Sequence, residues 1–333
     1  MLSGFSPARA CRRAAAAASI LGAAAFVGPA ATSAQAGYPD KPITFVVPFA
    51  AGTATDQQAR ATAQGITQAT GIPVVIDNRP GAQGFLAAQA VARAAPDGYT
   101  VLISTNTTHA ANEHLFKKLP YDPEKDFEPV TALNNGNQVM IVRNSLPAHS
   151  VREFIDLAKK APGKYTFGAS SASSRMAVEL FQAMAGIQLL HVPYKSTPAA
   201  ITDLISGRID LMIVDAPNAM PQVKTGSVRG LAVSAATRSS LAPELPTIAE
   251  AALPGYDMTY WTAAHLPAGT PPAIVDKLNA LMVQSSLAPA SVQFYENTGS
   301  TRFTTTPQGM REFQHAESAK WGEIIRAAHI EQE

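Results

Sequence analysis

The chain has 333 residues, carries 26 Lys and Arg against 25 Asp and Glu, and contains a single cysteine. A net charge of +1 gives no basic field for nucleic acid or an anionic membrane, and the length allows one or two hydrophobic cores. Residues 1–36 stand apart: Arg9, Arg12 and Arg13 precede an apolar run over 14–27, and small residues then lead to Ala34-Gln35-Ala36. That order is the order of a secretory signal peptide, and the run is shorter than the roughly 20 apolar residues a membrane span needs. Cleavage after Ala36 is expected to release 297 residues (333 less 36). Three arginines leave with the leader, so 23 basic residues face 25 acidic ones. The only cysteine, Cys11, leaves too, which excludes thiol catalysis, disulfides and thiolate metal sites from the exported form. No later apolar stretch is long enough for membrane insertion.

From residue 43 strands, loops and helices alternate. Ile43-Thr44-Phe45-Val46-Val47 reads as a buried strand, rich in β-branched and aromatic residues. The loop over 48–55 leads to a helix that Thr55 or Asp56 caps, with Ala59, Ala63 and Ile66 on one face and an end near Gly71. A strand over 74–76, a helix over 85–93 and a strand over 99–104 complete a first α/β unit. The stretch 119–137, rich in Pro, Asp and Asn, reads as irregular. A second unit follows, with strands over 139–142, 165–168, 189–192, 209–214 and 230–233. Its helices are expected over 151–160, 175–185, 198–206 and 217–225. Beyond Pro254-Gly255 the pattern is mainly helical, over 272–284 and 307–328, and these helices are expected to pack back on the first unit. Thr306 caps the last one, and Met310, Phe313, Trp321, Ile324 and Ile325 face its core. Continuous apolar strands in such alternation call for parallel sheets covered on both faces.

Two α/β units joined by more than one crossing make a cleft, and open parallel sheets bind ligands beyond the carboxyl ends of their strands. The loops there are 48–56, 105–109, 168–174 and 215–218. Phe49, Ala50, Gly52, Thr53, Thr55 and Asp56 put small residues and hydroxyls before a helix start, where free N–H groups and the helix dipole suit an anion. Thr and Asp favour caps without any ligand, so the motif alone leaves binding and plain capping even; Asp56 suits holding the loop. Ser170, Ser171, Ser173, Ser174 and Arg175 repeat the design with more hydroxyls and one cation. Arg175 can grip a carboxylate with two bonds or remain solvated. Asn106, His109, Tyr194, Lys195 and Asp215 follow strands and are further candidates, for which a surface or hinge role fits as well. Trp261 lines the cleft or is simply buried. Gly168-Ala169-Ser170-Ser171-Ala172 lacks the last glycine of a nucleophile elbow and has no evident base. The histidines, including His191, His265, His315 and His329, show no metal-binding spacing, and neither G-x-G-x-x-G nor a P-loop lysine is present.

Several short motifs recur in a telling order: Tyr38-Pro39-Asp40-Lys41-Pro42-Ile43, Val47-Pro48-Phe49-Ala50-Ala51-Gly52, Asn78-Arg79-Pro80-Gly81-Ala82-Gln83-Gly84 and Pro96-Asp97-Gly98-Tyr99-Thr100. Lys118-Leu119-Pro120-Tyr121-Asp122, His191-Val192-Pro193-Tyr194-Lys195, Leu245-Pro246-Thr247-Ile248-Ala249-Glu250 and Pro267-Ala268-Gly269-Thr270-Pro271 follow. Together they resemble the tripartite tricarboxylate transporter substrate-binding family, or Bug family of extracytoplasmic solute receptors, over nearly all of the chain after residue 36. The resemblance implies an α/β, two-lobed periplasmic binding protein fold (type II-like), with the ligand cleft between two doubly wound domains. Residues 37–137 with 261–333 would form one domain and 138–260 the other, with hinges near 134–138 and 260–264. It also implies a monomeric, non-enzymatic receptor in the periplasm, without cofactor or metal. Its partners would be a small carboxylate ligand and the permease subunits of a tripartite transporter. The family's two carboxylate-gripping loops map to 49–56 and 170–175. Here serines replace the second loop's usual glycines, and Arg175 stands about where a histidine opens the helix. Alternatives are a sensory receptor that presents its closed form to a histidine-kinase ectodomain, and a secreted hydrolase, which would need a Ser/His/acid set.

Overall fold

The computed structural model describes residues 37–327 and 330–333. The expected export signal with Cys11, and His329, lie outside the described residues. The chain begins with β1 (Ile43–Val47), α1 (Ala54–Thr70), β2 (Val74–Asn78), α2 (Phe85–Ala92) and β3 (Thr100–Thr105). A π-helical turn (Thr107–Ala111) runs into α3 (Asn112–Leu115), and the long β4 (Phe127–Val142) follows. Next come α4 (Val151–Lys160), β5 (Thr166–Ala169), α5 (Ala172–Ala185), β6 (Leu190–Pro193), α6 (Thr197–Ser206), β7 (Leu211–Asp215), α7 (Ala216–Lys224), β8 (Arg229–Val233) and α8 (Ile248–Ala251). The last part holds β9 (Thr259–Pro267), α9 (Pro272–Ser285), α10 (Pro289–Thr298), β10 (Thr301–Arg302) and α11 (Pro307–Ala327). Among the described residues, no helix is long and apolar enough to cross a membrane.

Strand order is β2-β1-β3-β9-β4-β7-β5-β6, with β8 and β10 also on β4. β1 lies parallel between β2 and β3, and β5 lies parallel between β6 and β7. Each parallel set is the sheet of one α/β lobe. The antiparallel pair β4 and β9, in register from Phe127 opposite Pro267 to Asn137 opposite Thr259, links them and carries the chain across twice. This is the two-lobed α/β fold expected from the alternation.

Two expectations fail at this linking pair. Residues 127–137 are strand, not irregular, and 259–267 is a strand inside what reads as a helical region. Both strands are buried almost throughout, so neither shows the two-residue alternation of a half-buried strand. Pairing with β9 and β10 also overrides the poor strand preference of Asn134 and Asn135, and pairing with β9 that of Asn137. Register shifts on either side of Thr131 and Ala132 take up Pro129, which has no N–H to give. Helix α10 also escaped the sequence pattern.

The C-terminal helices divide their packing. Val275, Leu278 and Met282 of α9 share a core with Ile43, Phe45 and Ile66, as expected. Helix α11 does not simply return to the first lobe: Met310, Trp321 and Ile325 join Phe154, Phe167 and Phe181 of the second. Phe313 and Ile324 pack half-buried against the same cluster. Thr306 does cap α11, its hydroxyl accepting from the Gly309 N–H at 3.0 Å.

Candidate ligand-binding site

The carboxyl ends of β1, β3, β5 and β7 face one another, and the loops beyond them enclose a cavity of about 30 Å³. The starts of α1, α5, α6 and α7 reach its wall through Thr53 and Thr55, Ser171 and Ser173, Ser196 and Thr197, and Asp215. The first N–H groups of a helix have no partners within it, so four converging starts surround the cavity with positive dipole ends. An anion is the natural occupant.

The first loop is locked by its own side chains. Thr53, not Thr55 or Asp56, is the cap of α1: its backbone is extended and its hydroxyl accepts from the Asp56 N–H. A cap must lie just outside the helix, and Thr55 and Asp56 are already in its first turn. Asp56 instead reaches back, one oxygen accepting from Gly52 N–H at 2.9 Å and Arg60 Nε at 3.0 Å, the other from Asn78 Nδ2 at 3.0 Å. Burial pushes this carboxyl up, but the bonds from Arg60, Gly52 and Asn78 outweigh it and hold it below the usual range. Asn78 also donates to the Phe49 carbonyl at 3.0 Å. Asp56 is therefore spent on the loop and does not line the cavity, while Phe49, Ala50, Thr53 and Thr55 do.

The second loop uses its serines differently. Helix α5 begins at Ala172, three residues earlier than expected, because Ser171 and Ser174 form a reciprocal capping box. Ser174 is consumed there and is absent from the wall. Ser170 shares a hydrogen bond of 2.9 Å with Thr197, and Ser173 accepts from Asn106 Nδ2 at 3.1 Å and Gln138 Nε2 at 3.2 Å. Arg175 sits a full turn into the helix and points away from the cavity. It pairs with Glu179 at 3.4 Å and Glu333 at 2.7 Å, so the structure does not support it as a carboxylate clamp.

Contacts between the lobes close over the cavity: Asn106 to Ser173, Ser173 N–H to Thr107 Oγ1 at 3.3 Å, and Asn218 Nδ2 to the Gly52 carbonyl at 3.2 Å. Two hydroxyls on the wall, Thr105 and Tyr260, are buried and have no hydrogen-bond partner. Tyr260 lies near Ser300 and Asn134 without making a bond of ordinary geometry to either. Buried polar groups are seldom left unmatched, so each hydroxyl is a place where a bound water would supply the missing partner. Asp215 accepts only from Gln138 at 3.2 Å, and burial raises its carboxyl to about 6.

Of the sequence candidates, Phe49, Ala50, Thr53, Thr55, Asn106, Ser170, Ser171, Ser173, Lys195 and Asp215 thus come together on one wall. Gly52, Asp56, Ser174 and Arg175 support the loops from behind. Tyr194 lines a neighbouring chamber and donates to Asp203 at 2.8 Å. His109 is a core residue: the π-helical turn directs it inward, 4.2 Å from the His265 ring, and burial holds it well below its ordinary value, neutral. Sequence reasoning did not single out Thr105, Thr107, Ser196, Thr197 or Tyr260, which also line the cavity, and Trp261, left open between cleft and core, lines it too. Ser196 and Thr197 precede Pro198, a strand–loop–helix signal of the kind used for the other loops. Tyr260 needed β9 to be recognised. The wall serines bond to Ser, Thr, Asn and Gln side chains, not to a histidine base. Among the described residues, no group of three His, Cys, Asp or Glu is placed to hold a metal.

Comparison with known proteins gives the family and the fold. A sequence profile described as the tripartite tricarboxylate transporter family receptor matches residues 58–330. The fold is similar to that of Rpa4515 from R. palustris, solved with adipate, at 35% identity and a TM-score of 0.86 over 89% of this chain and 100% of that one. It is similar to the periplasmic binding protein BugD, at 29% identity and a TM-score of 0.84 over 89% and 100%. MatC from Rhodopseudomonas palustris, with bound malate, is 31% identical with a TM-score of 0.81 over 86% and 100%.

Proposed function

We propose that this chain, which belongs to the tripartite tricarboxylate transporter receptor family, captures a small organic carboxylate in the periplasm and delivers it to the membrane permease of a tripartite transporter. The observation that carries the reading is the ring of four helix starts around one cavity, with the unmatched hydroxyls of Thr105 and Tyr260 on its wall. Backbone N–H groups there hold a carboxylate without a charged side chain. The adipate of Rpa4515 and the malate of MatC support the ligand class. The family is one of receptors, not enzymes, and the wall offers no activated nucleophile.

Capture works by closure. Residues 37–137 with 261–306, and residues 138–260 with α11 packed on their core, move as two lobes about 134–138 and 260–264, where β4 and β9 pass between them. The ligand completes the bridge that Asn106, Ser173 and Asn218 begin, and the monomer then presents its closed form to the permease. Thermal-shift screening of the protein without residues 1–36 against a carboxylate panel tests the reading. An acid at 100 times its Kd should add about 2.7 kcal/mol of stability. A panel of mono-, di- and tricarboxylates that leaves Tm unchanged at millimolar concentration would contradict it.

A further inference from the structure

Two cavities meet at the same loops. The inner one, at about 30 Å³, has room for about two waters, each of which needs roughly 10–15 Å³ of such space. Beside it opens a chamber of about 740 Å³, and Phe49, Ala50, Ser170, Lys195 and Ser196 line both, so the two are continuous. With the lobes closed, a carboxylate head alone fits the inner space; the rest of any ligand lies in the chamber.

The chemistry changes at that junction. The inner wall is made of hydroxyls, the Asn106 amide and Asp215, whereas the chamber is built around Phe49, Phe85, Phe116 and Tyr194. Phe85 and Phe116 meet edge to face with ring centroids 4.8 Å apart. The Tyr194 hydroxyl is occupied by Asp203, which leaves its ring as the useful surface. Aromatic walls with few polar groups bind apolar bodies, and aromatic rings pack on them edge to face. A second carboxylate finds little here. Among the described residues lining either cavity, Lys195 is the only cation, and it stands at the junction beside the head. Glu333 puts an acid on the chamber's rim.

We propose that the chamber receives the aromatic body of the ligand while its single carboxylate occupies the inner cavity, so that this chain selects aryl-alkanoic acids over short polycarboxylates. The proposal rests on the carboxylate reading above and adds the nature of the other end. Phe85 and Phe116 set the selectivity, while the helix starts and hydroxyls of the inner wall hold the carboxylate.

Calorimetry with 3-phenylpropionate, succinate, citrate and neutral 3-phenylpropionamide separates the two layers. 3-Phenylpropionate should bind at least tenfold more tightly than succinate or citrate, and the amide should not bind. Phe85→Ala and Phe116→Ala should each lower the ratio of 3-phenylpropionate to succinate affinity by about tenfold, and Phe116→Leu should restore most of it. Melting curves of each variant establish that it is folded, and a ratio is insensitive to a uniform loss of competent protein. Succinate or citrate binding as tightly as 3-phenylpropionate, with the ratio unmoved by either alanine, overturns the chamber assignment and leaves the carboxylate reading standing. Binding by none of the acids, or by the amide as well as the acid, overturns both.

Discussion

The two loops that close on the cavity are built from similar residues and work in opposite ways. In the first, one acid does the bracing: Asp56 gathers Gly52, Arg60 and Asn78, and Phe49, Ala50 and Thr53 line the cavity. In the second, hydroxyls brace one another. Ser174 is spent on the cap of α5, while Ser170 and Ser173 are bonded to Thr197, Asn106 and Gln138 across the site. A hydroxyl before a helix thus has two competing uses, and the sequence does not say which prevails. The acids differ in the same way. Asp56 is fully paired and its carboxyl is held down, whereas Asp215 has one amide partner and its carboxyl is pushed up to about 6 by burial.

The largest effect is expected at the first brace. Asp56→Ala leaves Gly52 N–H and Asn78 without their acceptor and should cost about 3 kcal/mol in chemical denaturation, as for lost charge-assisted bonds to a buried group. Ligand affinity should fall more than tenfold with it. Because the folded-state carboxyl lies below its unfolded value, this stabilisation is present above about pH 4 and disappears as pH falls through the depressed value. The wild type should therefore lose its advantage over the variant in acid.

Asp215 gives the next effect, with the opposite sense. Its carboxyl is neutral below about 6 and charged above, and the charged form repels an incoming carboxylate. Affinity should fall roughly tenfold, or about 1.4 kcal/mol, as pH rises from 5 to 8. Asp215→Asn should flatten that profile and bind more tightly at pH 8. An unchanged slope in the variant would remove Asp215 from the electrostatics of the site.

The second loop should respond more weakly. Ser174→Ala removes half of a capping box and should cost about 1 kcal/mol of stability, with affinity kept within twofold. A larger loss of affinity than of stability would make that hydroxyl a ligand contact after all. Arg175→Ala is the smallest: its ion pairs are partly exposed, so the expected cost is below about 1 kcal/mol, and calorimetry should find the same Kd. A tenfold weaker Kd would return the guanidinium to the site.

The regular α/β units were legible because their strands are short apolar runs between turn residues, and because a cap such as Thr306 obeys local rules. The linking strands were not. Their partners come from more than 100 residues away in places, and Asn134 opposite Thr262 is a strand residue only because of that partner. The site followed suit. The cavity is lined by loops that trail ordinary strands and were legible, whereas Tyr260, carried by β9, was not singled out. Arg175 and His109, both left open by the sequence, do not line the inner cavity, because position along a chain does not reveal which face of a helical turn points inward.

Calorimetry of the tightest-binding acid against its methyl ester, on the wild type and on Arg175→Ala, tests most directly whether helix starts and hydroxyls, and not a cationic clamp, hold a ligand carboxylate between the lobes. The acid is expected to bind with the same Kd for both proteins, and the ester to give no detectable heat. An ester that binds as tightly as the acid would rule out carboxylate recognition there.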